Sequence, residues 1–238
     1  MTNYILHPAS GRGHADHGWL NAHHSFSFAS WYNPEKVHYG MLRVLNDDIV
    51  APGKGFGMHP HDNMEIITIP LSGSLEHKDN MGNGEVIRAG DVQLMSAGTG
   101  VFHSEFNPSK DEEVSLFQIW IFPKLKNVKP RYDQKTFDVI NRHNKLQTLV
   151  QPGPSEEGLW IYQDAWLSMG KFDADFTSDY SVNKNGNGAY VMVVNGTFEI
   201  DGHTLNKRDA IGISGTDKFS FTAKEEGSEL LLIEVPMN

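Results

Sequence analysis

The chain has 238 residues, is 39% hydrophobic and carries 30 acidic against 20 basic side chains, a formal charge of −10. That is enough apolar mass for a sizeable core, and a negative field opposes both a nucleic-acid backbone and an anionic lipid surface as direct partners. With no cysteine, there is neither a disulfide framework nor a thiolate metal site, so any transition metal must be held by nitrogen and oxygen.

The N-terminal "MTNYILHPASGRGHADHG" lacks a basic region followed by an apolar one, and no apolar run approaches the ~18 residues of a membrane span. The expectation is a soluble cytoplasmic protein without a membrane partner. From there on, strand patterning dominates. "GMLRVLNDDIVAPGKGFG", "MEIITIPLSGSLEH", "GDVQLMS" and "VSLFQIWIF" are short runs rich in Val, Ile, Phe and Leu, bounded by Gly, Asn, Asp or Pro. "AYVMVVNGTFEIDGHTL", "DAIGIS", "KFSFTA" and "SELLLIEVP" repeat the pattern towards the C-terminus. No long amphipathic helix interrupts them, which predicts an all-β sandwich or barrel.

The two ends also resemble each other. "IITIPLSGSLEH" aligns with "YVMVVNGTFEID" through Gly73 and Gly196, and "GDVQLMSAGT" with "RDAIGISGTD" through Asp91 and Asp209. Two copies of one β unit are expected, residues 1–130 and 159–238, joined by a Pro- and Gly-marked crossover over 131–158 that itself contains a strand-like or helical piece around Thr136 to Val150. The basic "KLKNVKPR" (124–131) reads as a solvated connector.

Chemistry concentrates in the first copy. "HPHDNME" supplies His59, His61 and Glu65, and "HSEFN" supplies His103 and Glu105. Residues of one parity on an extended strand point to one face, so a straight strand would align His59, His61 and Glu65, and a neighbouring strand His103 and Glu105. Imidazole and carboxylate without sulfur suit Fe, Mn, Ni, Cu or Zn. Counting from the repeat landmarks, the positions of His59, His61 and His103 fall in the second copy on Val182, Lys184 and Phe221, so the second copy is expected to bind no metal. Of the other histidines, His23 and His24 are expected to pack in a strand, with His24 able to reach the site. His77 and the remainder read as ordinary. Met58, Met81, Met95 and the phenylalanines are expected in the core or lining a pocket.

From Gly18 to Ser109, through "GWLNAHHSFSFASWYNPE", "LRVLNDDIVAPGKGFGMHPHDNMEIIT" and "HKDNMGNGEVIRAGDVQLMSAGTGVFHSEFNPS", the chain resembles the pirin family of the cupin superfamily, and in particular its bacterial members described as quercetin 2,3-dioxygenases. The resemblance implies a bicupin of two stacked antiparallel β-barrels with few short helices. It implies one divalent metal, Fe(II) before Zn, Mn, Ni, Cu or Co, held in the N-terminal barrel by His59, His61, His103 and Glu105, with Glu65 nearby but not a ligand. Asp62 stands where a basic residue is common in the family, and "TIPLSG" replaces a more aromatic run. The implied activity is oxygenolytic opening of a flavonol heterocycle with loss of carbon monoxide, Glu105 serving as base. The alternative is a non-catalytic, redox-sensing metal protein with a protein partner. A monomer is expected in either case.

Overall fold

The protein is described by a computed structural model covering residues 1–238. It is built almost wholly of strands, its only helical pieces being the 3-10 turns Ala9–Gly11 and Val139–Arg142. Four sheets form two stacked units, the bicupin arrangement expected. In the first, a seven-stranded sheet containing Leu20–His24, Leu42–Val50, Glu65–Ser72, Asp91–Ser96 and Val114–Ile121 faces a four-stranded sheet of Gly55–His61, Val101–Phe106, Ser74–Asp79 and Gly84–Arg88. The second repeats this with seven strands, among them Trp166–Phe172, Asn187–Asn195 and Ser228–Pro236. Its four-stranded sheet is Thr177–Ser181, Lys218–Ala223, Thr197–Ile200 and His203–Asn206.

The internal repeat is visible in its turns. Gly73 and Gly196 both adopt left-handed backbone, with φ of 72° and 76°, a conformation that costs glycine little because it has no Cβ. Asp91 and Asp209 each close a turn by accepting a backbone N–H at 2.9 Å, from Arg88 and Asn206 respectively.

The stretch 131–158 is divided between the barrels. Arg131–Thr136 pairs with Asp91–Ser96 in the first, and Gln147–Pro152 pairs with Trp166–Phe172 in the second. The N-terminal strand Asn3–His7 also crosses over, pairing with Ala210–Ser214. These exchanges stitch the units together at their edges.

The main core lies where the two seven-stranded sheets meet. Strands there are buried on both faces and read as continuous apolar runs rather than alternations. In "AYVMVVN", Tyr190, Met192 and Val194 point into the seam between barrels while Ala189, Val191 and Val193 point into the second barrel. Phe117, Ile119 and Ile121 enter the seam from the other side, which turns the opposite edge of their strand, Gln118 and Trp120, towards the interior of the first barrel. Asp47 adds a polar clasp, accepting from Arg12 at 3.2 Å and from Arg208 at 2.9 Å.

Candidate metal centre

The four-stranded sheet of the first barrel brings His59, His61 and His103 together. Antiparallel pairing sets His103 opposite His59 and Val101 opposite His61, so imidazoles from two strands distant in sequence meet on one face. The imidazole centroids lie 4.3 to 4.9 Å apart, and one ring nitrogen from each falls within 4.8 Å of the others. A bulge between His103 and Glu105 shifts the register, placing Glu105 opposite Phe56. Glu105 therefore joins the cluster through His103, grouping within 4.8 Å with His103 and His77 rather than with all three of the first set.

Hydrogen bonds select which imidazole nitrogen carries a lone pair. Nδ1 of His59 lies 2.8 Å from the Gly57 carbonyl oxygen; a carbonyl only accepts, so Nδ1 bears the proton and Nε2 is free. For His103 the selection runs through a relay. His77 Nε2 lies 3.2 Å from Asp79 Oδ2, and His77 Nδ1 lies 3.4 Å from His103 Nδ1. With Nε2–H donated to the carboxylate, neutral His77 accepts at Nδ1 from His103 Nδ1–H, which leaves Nε2 of His103 bare. That atom is buried without a partner. Asp79 is itself fixed by Asn83 N–H, Asn83 Nδ2 and Met81 N–H at 2.7 to 3.0 Å. Burial works against its ionised form, but these donors prevail and hold the carboxyl below its ordinary range.

The electrostatics suit a cation. Burial, reinforced by His59, lowers His61 to about 4, and burial with His59, His61 and His77 lowers His103 further. Both rings are therefore neutral donors at neutral pH. Glu105 is pushed up to about 7 by burial, against hydrogen bonds from Gln118 and Thr68. Nitrogen and oxygen donors with a bare, buried Nε2 among them fit a divalent transition ion, whose charge would draw Glu105 back to the carboxylate.

The opposing seven-stranded sheet completes the site. Gln118 Nε2 donates to Glu105 at 3.1 Å, and Thr68 Oγ1 lies 3.4 Å from the same carboxylate. A cavity of about 370 Å³ opens beside His59, His61 and Glu105, walled by Leu20, Phe28, Phe56 and Trp120 and by the polar residues His24, Asn46 and Asp48. Trp120 meets His61 edge-on at 4.9 Å.

Several sequence expectations need correction. Glu65 does not share a strand with His59 and His61: the first strand ends at His61, Asn63 turns through a φ of 44°, and Glu65 begins the next strand in the other sheet. There its carboxyl accepts from Ser96 Oγ at 2.6 Å. His77 is part of the site and not an ordinary histidine; its only sequence signal is the H-x-D spacing to Asp79 on the strand flanking His103. Met58 and Met81 are exposed, at 60% and 38%, and no methionine lines the cavity. His24 does reach it, hydrogen-bonded to Asn46 at 2.9 Å, whereas His23 stacks on His14 at the surface. In the second barrel, strand pairing matches His59, His61, His103 and Glu105 with Tyr180, Val182, Phe219 and Phe221. The landmark count that gave Val182, Lys184 and Phe221 is thus two residues out of register, because the loops between landmark and strand differ in length.

A double-barrelled cupin with an imidazole cluster in one interior is a recognisable class, and sequence comparison narrows it. Residues 7–121 match the Pirin family model, and residues 148–235 match that of the quercetinase C-terminal cupin domain. The chain is 40% identical over 231 residues to the quercetin 2,3-dioxygenase of Escherichia coli K12, covering 97% of this chain and 98% of that one. It is 42% identical over 228 residues to a pirin-like protein of Caulobacter vibrioides, covering 95% and 97%. The chain belongs to the pirin family. Its fold superposes with a TM-score of 0.92 on the bacterial pirin YhhW of Escherichia coli in complex with nickel(II), at 39% identity over 98% of this chain and 99% of that one. No helix is long and apolar enough to cross a membrane.

Proposed function

We propose that this protein is a metal-dependent dioxygenase that opens the heterocycle of a flavonol such as quercetin, releasing carbon monoxide, and that it works in the cytoplasm. The observation that carries the reading is the convergence of three imidazoles, two of which, His59 and His61, line a cavity with apolar and polar walls whose size suits a small aromatic ligand. The names of relatives at about 40% identity support it.

His59, His61, His103 and Glu105 would hold the ion, Fe(II) being our first choice before Ni, Zn, Mn, Cu or Co. When bound it supplies Lewis acidity towards the substrate's 3-hydroxyl and a site for dioxygen. Glu105, set apart from the three-histidine group by the bulge, takes the proton of that hydroxyl as the carboxylate. Gln118 and Thr68 aim the carboxyl. Leu20, Phe28, Phe56 and Trp120 receive the flat rings and keep water out.

The test is oxygen uptake and carbon monoxide release by metal-loaded protein over a flavonol panel. Wild type consumes oxygen and releases carbon monoxide; Glu105→Gln keeps most of its metal and loses about 10²- to 10⁴-fold in ring opening, the scale of a lost general base. No oxygen uptake by metal-loaded wild type on any flavonol overturns the function, and undiminished turnover by the variant overturns the role of Glu105.

A further inference from the structure

The cavity contains a carboxyl group that the mechanism above leaves idle. Asp48 lies on the Leu42–Val50 strand and lines the cavity with Asn46, His24 and Gln118. It is only 5% exposed, and its Oδ1 is buried without a hydrogen-bond partner. An unpartnered buried carboxyl oxygen is costly, and such a group in a folded protein calls for a reason. No side-chain cation supplies one: Arg12 and Arg208 pair with Asp47, on the opposite face of the same strand.

The fold does not supply a reason either. In the first barrel Asp48 pairs with Leu116, as Gly170 pairs with Leu230 at the matching place in the second. The same strand is therefore built there with no side chain at all. What distinguishes the first barrel is its cavity.

Placement indicates which part of a ligand the carboxyl meets. Asn46 pairs with Gln118, and Gln118 donates to Glu105. Asp48 is one pleat along from Asn46 on the same face, and Glu105 is close enough to be among its charged neighbours. The group thus lies on the same cavity wall as Asn46 and Gln118, between Ala22 and Leu116 of the flanking strands. We propose that Asp48 is a substrate-positioning residue, its carboxyl donating a hydrogen bond to the carbonyl oxygen that a flavonol carries beside the hydroxyl directed at the histidines. The inference rests on the flavonol reading above and adds the enol-ketone pair as the feature recognised. Burial, with Asp47 and Glu105 nearby, pushes the Asp48 carboxyl up to about 8, the direction that favours the protonated form the donor role needs.

The experiment is anaerobic binding of 3-hydroxyflavone, whose one carbonyl is the one beside the hydroxyl, to metal-loaded protein, followed by tryptophan fluorescence. Asp48→Leu, which removes the donor, weakens binding about 10-fold or more, while Asp48→Asn, which keeps an N–H at the same place, stays within about 3-fold. Metal content equal to wild type in both variants shows that the barrel and the histidines are intact. Binding by Asp48→Leu within 2-fold of wild type, or a loss in Asp48→Asn as large as in Asp48→Leu, overturns the assignment and leaves the flavonol reading standing. Failure of metal-loaded wild type to bind any flavonol removes that reading, and this inference with it.

Discussion

Thr68 pairs with Gln118 across the seven-stranded sheet of the first barrel, and Val191 pairs with Leu232 at the matching place in the second. The same substitution of polar by apolar runs through both interiors. His59, His103 and Glu105 correspond to Tyr180, Phe219 and Phe221, and Asp48 to Gly170. The result is visible in the packing. The second barrel is filled by one apolar cluster of 15 buried residues, whereas the first holds two separate ones of 7 and 4, divided by the histidines and carboxyls. One fold thus shows its interior twice, once filled with apolar side chains and once opened into a cavity. A site costs stability where its polar groups are left short of partners, and a sister barrel fused through a common seam offsets that cost.

Two buried carboxylates give the sharpest test. Glu234, fully buried, accepts from Tyr180 Oη, from the backbone N–H of Asn183 and Lys184, and from the side-chain amides of Asn183 and Asn187, all within 3.1 Å. It ties down the 182–187 loop. Glu105 has only Gln118 and a distant Thr68. Glu234→Gln turns an amide N–H towards donors and costs about 3 kcal/mol of unfolding free energy. In metal-free protein Glu105→Gln costs less than about 1 kcal/mol, because its neighbours include an amide and a hydroxyl that can accept. Denaturant melts of the two variants should separate clearly. Equal losses would mean that the first barrel's polar groups are structural after all.

A smaller effect probes the relay behind His103. Asp79→Asn keeps the loop bonds to Asn83 and Met81 in large part but removes the anion that fixes the His77 tautomer, so metal affinity falls about 10- to 100-fold. A competition titration with a chelator measures it. Unchanged affinity would show that His103 finds its orientation without His77, as its counterpart Phe219 finds its own by packing alone.

The sequence made part of this arrangement legible. H-x-H and H-x-E report directly on a pleated strand, because side-chain direction alternates with a period of 2, and the glycine landmarks disclosed the repeat. What stayed hidden depends on pairing between distant strands. The bulge after His103 changes which neighbours Glu105 meets, the turn at Asn63 sends Glu65 into another sheet, and His77 becomes part of the site only because its strand pairs with that of His103. Asp48 gives no local signal either, since "NDD" reads as a turn until the strand is seen running through it. The crossing of Asn3–His7 into the far barrel is likewise a matter of edge pairing, which periodicity does not encode.

That crossing strand carries the last test, at the seam that joins the two interiors. His7 is buried there, its Nδ1 2.8 Å from Tyr190 Oη and its ring edge-on to Phe26. Burial, with Lys36 adding to it, lowers its pKa to about 4 from an ordinary 6.5. Between these values the unfolded chain binds more protons than the folded one, so the contribution of neutral His7 is fully present above about pH 6.5 and is lost as the pH falls towards 4. Allowing for partial solvent screening, the loss is roughly 1–2 kcal/mol. Replacing His7 by Gln leaves a polar group for Tyr190 and removes the titration. Wild type should then lose that much more stability than His7→Gln between pH 7 and pH 4 in denaturant melts. If the two proteins lose stability in parallel, the seam is not sensing that proton, and the barrels are held by their apolar faces and the Asp47 clasp without help from the crossing strand's imidazole.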